Sequence, residues 1–392
     1  MPKRDRDGDS PLSVALVCCG EPKKSMGWFH LTQLLEDSRV KVDAVVEPWF
    51  LGKGIDAPGS KAFSAFQQEN PAVSFYASID EMPAKDDDKP LLFLIAGRTC
   101  DAPRLFSSAI AKGATHVYLE KPGATSAAEL GSMRELAAKN NVEVVVGYNK
   151  NVAMYSRNAL AVLRVSDKAS RPSVTLEHCN EFEPGEGLKE FMRGPGGEGM
   201  LHNMSCHELA LAATLFGVST SKITKVVLDK TRSQLLDLGG GKNDWQKVAF
   251  TLMMEPPTEA EEAAVHGSGG LAMNELSFFA DRCGGNFSRV VLGPFAFNGG
   301  STEYRLPDAE LEKEIASKQA ADPEMRPYFW QQGRDYAKLK DEFITHIVNG
   351  RRGVPEGVVG LEGAMEALRL ADFLAPLLRE CWASGGEPWV RA

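Results

Sequence analysis

The chain has 392 residues, 43% of them hydrophobic and 25% charged, a length suited to two domains and a composition ordinary for a folded globular protein. Its formal net charge of -9 argues against a nucleic-acid or anionic-membrane surface, since both need a basic excess. No uninterrupted apolar stretch is long enough to span a bilayer, and Met1 to Ser10 lacks the apolar centre of a signal peptide, so residues 1–10 are expected to form a disordered lead-in.

The first part of the chain alternates strand-like and helix-like segments. Ser13 to Cys18 is a short apolar run ending at Gly20, and Trp28 to Leu35 has helical spacing. Val40 to Val46 reads as a strand closed by Glu47-Pro48, with a weaker strand at Val73 to Tyr76. Leu91 to Ala96 is a strong apolar run, Pro103 to Lys112 a helix stopped by Gly113, and His116 to Leu119 a further strand. A helix over Ser126 to Lys139 and a strand over Val142 to Val146 complete the series, which implies a parallel sheet covered on both faces with right-handed crossovers.

After Asn149 the pattern changes. Helices are expected from about Asn151 to Arg164 and from about Leu201 to Phe216, with a strand at Ser173 to Glu177 and a Gly-rich loop over Glu183 to Gly199. Strand-like runs recur at Ile223 to Leu228, Val248 to Met253, Asn274 to Ala280 and Phe287 to Leu292. Grouped strands of this kind point to a mostly antiparallel sheet. The acidic, Ala-rich stretch Glu255 to Gly270 reads as a solvated loop, and helices return at Tyr336 to Ile347 and Leu361 to Leu378. The expected division is a lead-in over 1–10, a dinucleotide-binding domain over 11–150 and a second domain over 151–392.

Seven cysteines without a CxxC pair fit free thiols in a reducing compartment, and hence a cytoplasmic location. Cys18 and Cys19 read as small buried residues at a strand end. The turn from Cys18 to Gly27 is Gly-rich but not a clean G-x-G-x-x-G: Gly20 can serve as the close-approach glycine and Gly27 as the helix-packing one, while Cys18 stands where a first glycine is expected. Lys23 and Lys24 sit near phosphates or, the favoured reading, solvate a lengthened loop. Glu47, at the end of the second strand, is placed to accept hydrogen bonds from both hydroxyls of an adenosine ribose and to repel a 2′-phosphate, so NAD is favoured over NADP. Trp49 covers an adenine or is an exposed loop aromatic. Small residues at Ala96-Gly97 let the backbone approach a ligand, and Arg98 either contacts it or pairs with a surface acid.

Glu120-Lys121-Pro122 closes the strand at Val117 to Leu119. Ligands of open parallel sheets bind beyond the carboxyl ends of the strands, so the chain layout aims Lys121 at a ligand, and Pro122 keeps it from helical geometry. A positioned ammonium can donate a proton or stabilise an alkoxide. His202 stands five residues before His207, with Cys206 adding to a local cluster; that is not the i, i+4 histidine pair of a helical zinc site, and no metal is expected.

These residues together resemble the glucose–fructose oxidoreductase / inositol dehydrogenase (Gfo/Idh/MocA) family over roughly Leu12 to Leu378. The specific parts are Gly113 to Pro122 with its Glu-Lys-Pro signature, Val144 to Asn149 with its Gly-Tyr-Asn ending, Gly199 to His207, and Gly27 with His30. The resemblance implies an α/β protein: an N-terminal Rossmann, doubly wound parallel sheet, and a C-terminal α+β domain on a large, mostly antiparallel open sheet. It implies NAD(H)-dependent hydride transfer to or from a sugar, polyol or related carbonyl compound, and a homodimer or homotetramer paired through the C-terminal sheet. The cofactor-side residues are then Gly20, Ser25, Gly27, Glu47, Ala96, Arg98, Glu120, Lys121 and Asn149, with Tyr148 near the nicotinamide end. The catalytic set is Lys121, His207 and Asn203, with Lys121 and His207 drawn from the two domains. The family's acid, four residues before its histidine, is here Asn203, which cannot titrate, and its further acid one turn on is Ala210. Asn203 and His207 are expected to share one helical face. The departure at Asn203 suits two alternatives: reduction of a C=N or C=C bond, as in biliverdin-reductase-like or dihydrodiol-dehydrogenase-like relatives, or a cofactor-binding protein without turnover.

Overall fold

The computed structural model describes residues 11–85, 89–166, 171–194, 197–267, 269–295 and 299–391, and the lead-in read over 1–10 lies outside them. The chain divides into two compact units. The first runs to Gly147 and takes in Gln319–Trp330 and Leu339–Pro355; the second holds Tyr148–Lys318, Gln331–Lys338 and the chain from Glu356 onward.

In the first unit, strands β1 (Leu12–Val17), β2 (Val40–Val46), β3 (Ser74–Tyr76), β4 (Leu91–Ile95), β5 (His116–Leu119) and β6 (Glu143–Val146) alternate with helices α1 (Met26–Leu35), α2 (Ser60–Glu69), α3 (Ala102–Ala111) and α4 (Ala127–Lys139). These strands lie in the order β6-β5-β4-β1-β2-β3, every pair parallel. The order winds outward both ways from the β1/β4 pair, the switch point at which such sheets bind ligands. All five residues of β4 and all four of β5 are buried, as helices on both faces require. Register sets the functional edge. Val17 pairs with Ile95, Ile95 with Leu119 and Leu119 with Val146, so the residues leaving β1, β4, β5 and β6 emerge side by side. Helix α4 starts where its sequence dictates: the Ser126 hydroxyl accepts from the Glu129 N–H at 3.2 Å, and Glu129 Oε2 accepts from the Thr125 N–H at 2.9 Å.

The second unit is built on one sheet. Its elements are α5 (Met154–Val165), β7 (Val174–Glu181), α6 (Glu186–Arg193), α7 (Cys206–Leu215), β8 (Ile223–Leu228), β9 (Gln234–Gly239), β10 (Lys242–Met254), α8 (Glu259–Gly267), β11 (Glu275–Asp281), β12 (Cys283–Leu292), β13 (Thr302–Leu306) and α9 (Ala309–Ala321). Helix α10 (Pro327–Val348), β14 (Val359–Gly360), α11 (Leu361–Ala383) and β15 (Trp389–Val390) follow. The strand order is β13-β12-β7-β11-β10-β8-β15, with β9 paired to β10. Every one of these pairs is antiparallel except β7 with β11. Helix α10 gives residues 331–338 to this unit and the rest to the first.

Two stretches read as loops are helices. Within Glu183 to Gly199, α6 buries Leu188 and Met192, one turn apart, under Leu238. Within Glu255 to Gly270, α8 places Glu259, Glu261 and Glu262 in its first turn, where the helix dipole favours acids.

Candidate functional site

The turn after β1 is built tightly. Cys18 takes a left-handed backbone (φ 66°) at the position where a first glycine was expected, and Gly20 follows at φ 71°. A Cβ at Gly20 would come within 2.5 Å of Ser25 Oγ, and one at Gly27 within 2.9 Å of the Cys19 carbonyl oxygen and closer still to that of Cys18. Both glycines are therefore demanded by close approach. Ser25 leads into α1, and its hydroxyl accepts from the Glu21 N–H at 2.9 Å. Lys23 pairs with Asp322 at 3.1 Å and Lys24 with Glu21 at 2.6 Å, so the loop's cations are held by carboxylates.

Glu47 is 2% exposed. Its Oε2 accepts from the Gly20 N–H at 2.6 Å and its Oε1 from the Trp49 N–H at 2.9 Å, so the residue ending β2 ties the glycine turn in place. A carboxylate has further lone pairs, and capacity for a ligand hydroxyl remains. Trp49 is exposed beside it. Ala96 leaves β4 with its N–H bonded to Val17 O, and Arg98 is exposed. Burial, then the charge of Glu47, pushes the Cys18 thiol up to about 12. Cys100, two residues past Arg98, is exposed, and the seven cysteines are all thiols.

Glu120 leaves β5 with its N–H on Ile95 O, and Lys121 lies half-buried in the turn that follows, joined to Pro122 by a cis peptide. Glu120 Oε1 meets His30 Nε2 at 2.8 Å and accepts from the Tyr118 hydroxyl at 3.3 Å, while Lys340 Nζ meets His30 Nδ1 at 2.9 Å. His30 packs in α1 and is fully buried. Its link to Lys340 was not foreseen, because the partner is 310 residues away.

In the second unit, a five-residue turn of π type, Met200–Met204, precedes α7. Asn203 belongs to that turn, and regular helix begins only at Cys206. The expected helix from Leu201 is thereby shortened, with Asn203 in the turn and His207 in the helix. His207 is 3% exposed, its ring edge-on to buried Tyr148 with centroids 5.6 Å apart. Asn149 is fully buried. Its amide donates to Gln332 Oε1 at 2.9 Å, and its own Oδ1 has no hydrogen-bond partner among the described residues. His202 pairs with Asp372 at 2.8 Å.

Buried Glu208 and Lys150 form a cluster with half-buried His178, and no role was expected for any of the three. Lys150 Nζ lies 2.8 Å from Glu208 Oε1 and 2.9 Å from His178 Nδ1, which is 3.2 Å from Glu208 Oε2. Burial alone would push the Glu208 carboxyl up; the Lys150 ammonium, then His178, overrule it and hold it well below the usual range. Asp335, on α10, has the opposite fate. It is 6% exposed, its Oδ2 has no hydrogen-bond partner among the described residues, and burial raises it to about 7 against the pull of Lys150.

Residues 26–148 match the model of an oxidoreductase family with an NAD-binding Rossmann fold, Gfo/Idh/MocA. The match begins at Met26, inside the last two residues of the turn whose glycine spacing is unusual. No curated protein matches the sequence. Similar solved structures include a probable dehydrogenase from Thermotoga maritima, at 14% identity and TM-score 0.64 over 97% of this chain and 98% of that one. A scyllo-inositol dehydrogenase from Lactobacillus casei with bound NAD(H) and scyllo-inositol is also similar, at 14%, TM-score 0.64, 97% and 99%. So is a myo-inositol dehydrogenase from Corynebacterium glutamicum, at 17%, TM-score 0.64, 98% and 99%. At these identities the likeness speaks for the fold, which is shared across nearly the whole chain. Within that shared fold, residues 26–148 are similar to the NAD-binding Rossmann fold of the Gfo/Idh/MocA oxidoreductase family.

Proposed function

We propose that the protein is an NAD(H)-dependent dehydrogenase that moves a hydride to or from a sugar-, polyol- or related carbonyl-type small molecule. The family match over residues 26–148 carries this reading. The residues present suit the cofactor. Gly20 and Gly27 leave no room for a side chain, and the carboxylate of Glu47 ends β2 beside that turn. Asn149 keeps a buried acceptor without a partner among the described residues. Gly20, Ser25, Gly27, Glu47, Ala96, Arg98, Glu120, Lys121 and Asn149 would hold the cofactor, with NAD preferred over NADP because of Glu47.

Bound NAD(H) would supply the acceptor or donor of the hydride. Lys121 stabilises the negative charge that develops on the substrate oxygen. His207 takes the hydroxyl proton during oxidation and returns it during reduction. The ionised Glu208, which feels the charge of His207, favours the imidazolium so formed. Asn203 orients through its amide. The inositol substrates of the similar solved enzymes motivate the substrate class.

A thermal-shift or NADH-fluorescence titration tests the first half of this reading. Ligand at 100 times its dissociation constant adds about 2.7 kcal/mol of stability. If NAD(H) and NADP(H) both leave melting unchanged, the reading fails. Lys121→Ala and His207→Ala should then each abolish turnover of whichever alcohol a screen identifies while NADH still binds. Because Asn203 cannot titrate, reduction of C=N or C=C bonds is the second reading, and tight cofactor binding without turnover across sugars, polyols and imines would mark a non-catalytic member. Self-association as a dimer or tetramer through the second unit's sheet, and a cytoplasmic location suited to seven thiols, complete the proposal. Light scattering tests the former. Among the described residues no helix is long and apolar enough to cross a membrane.

A further inference from the structure

The first unit holds a line of buried and half-buried polar groups of which the proposed chemistry uses only Glu120. Lys340 Nζ lies 2.9 Å from His30 Nδ1, and His30 Nε2 lies 2.8 Å from Glu120 Oε1. His30 is 0% and Lys340 5% exposed. An ammonium donates and cannot accept. His30 must therefore accept on Nδ1, carry its proton on Nε2 and donate it to the Glu120 carboxylate. Burial, then the Lys340 cation, hold His30 down at about 4, so the ring stays neutral through the physiological range. The carboxylate sits against Gly147, where an added Cβ would stand 2.6 Å from Glu120 Oε1.

We propose that Lys340 is a positioning residue for the Glu120-Lys121-Pro122 turn, acting through the Nε2–H tautomer of His30 on the Glu120 carboxylate. The charge on Lys340 is what enforces this tautomer. Burial brings its ammonium down to about 7, opposed by Glu120. Once deprotonated, the amine can accept as well as donate. The imidazole proton is then free to move to Nδ1, which turns an Nε2 lone pair toward a carboxylate oxygen. The titratable neighbours of the line are Tyr118 from β5 and Tyr328 from the start of α10, with Glu120 itself just past β5. Tyr118 stays protonated because burial, then Glu120, raise it well above its ordinary value.

Histidine-selective ¹⁵N NMR of the full chain, with His30 assigned by His30→Gln, tests the lock directly. At pH 6 the wild type should show a neutral Nε2–H imidazole. Lys340→Met removes the cation that opposes imidazolium, so the His30 midpoint should rise by about 1 pH unit or more, whereas Lys340→Arg should keep the wild-type tautomer and midpoint. An Nδ1–H ring in the wild type, or an unmoved midpoint in Lys340→Met, overturns the proposal. If Lys340→Met does not fold, the wild-type and Lys340→Arg spectra decide. The second readout rests on the cofactor reading above: Lys340→Met should weaken NADH binding about 10-fold, a change worth roughly 1.4 kcal/mol, with Lys340→Arg within about 2-fold by the same scale. Equal NADH affinity in wild type and Lys340→Met refutes the positioning role even if the tautomer is as stated. A wild type that binds no NAD(H) removes the proposed function and leaves the NMR result to judge the lock.

Discussion

Replacing Lys150 by Met strips the buried cluster of its cation while keeping most of the volume. In the native protein the Lys150 and Glu208 side chains are 0% and 3% exposed and 2.8 Å apart. Removing one member of such a pair leaves a desolvated charge, at a cost of about 3–5 kcal/mol. The structure favours the lower end. His178 Nδ1 already stands 3.2 Å from Glu208 Oε2, and a protonated imidazole can take over part of the ammonium's work. About 3 kcal/mol corresponds to roughly a hundredfold faster exchange from the opened state. The assay is hydrogen exchange by mass spectrometry over residues 206–215, since a two-unit chain need not give one global unfolding free energy. The loss should shrink with acid. In the wild type Glu208 is depressed below 4.5, so its contribution is present above that value and is lost only as pH falls through the lower folded value. In the variant burial is no longer opposed by the Lys150 ammonium, so the carboxyl titrates higher than in the wild type and its protonation in acid relieves the strain. Lys150→Met/Glu208→Leu should return within about 1 kcal/mol of wild type, because both buried charges are gone. A single-variant cost below about 1 kcal/mol at pH 7, or a double variant as unstable as the single, would refute the claim that this is a buried charged pair.

Three further outcomes can be checked. Gly27→Ala should cost about 1–3 kcal/mol in a denaturant melt and weaken NADH binding, because its Cβ meets the Cys18 and Cys19 carbonyls of the turn; normal stability would contradict the packing. Glu47→Gln loses the charge and keeps only one acceptor oxygen, so one of the two bonds from the Gly20 and Trp49 amides is lost as well. Fluorescence titration should therefore show the NADPH-to-NADH affinity ratio rise about tenfold, roughly 1.4 kcal/mol, and an unchanged ratio would remove Glu47 from the ribose. Asp335→Asn probes a carboxyl that is raised in the folded protein. Its folded state holds a proton that the unfolded chain loses, so wild-type stability should fall as pH rises from 3.8 toward about 7. The Asn variant should lack that slope in melts taken across the window, and identical slopes would show that Asp335 is not the group responsible.

The first unit was largely readable from its sequence because its strands are buried on both faces and stand out as unbroken apolar runs, as at Leu91 to Ile95 and His116 to Leu119. The helices α6 and α8 were missed although their signals were present. Leu188 and Met192 are spaced by one turn between Gly185 and Gly194, and α8 opens with three glutamates and carries several alanines. Glycine content and charge outweighed those cues. The turn holding Asn203 was read as helix because its apolar residues have helical spacing, and a wide turn of five residues imitates that spacing. The polar clusters carry no periodic signal at all. Lys150 finds Glu208 across 58 residues and Lys340 finds His30 across 310, distances that only the fold closes.

The left-handed Cys18 has a practical corollary. A sulfhydryl pushed up to about 12 is almost wholly protonated in ordinary buffers, and only the thiolate attacks electrophiles. Cys19 and Cys179 are likewise raised by burial. Cys100, the one exposed cysteine of the seven, follows β4 within a few residues of Ala96 and Arg98. A maleimide fluorophore should therefore attach there first, giving an optical reporter beside the dinucleotide edge of the sheet without engineering a new residue.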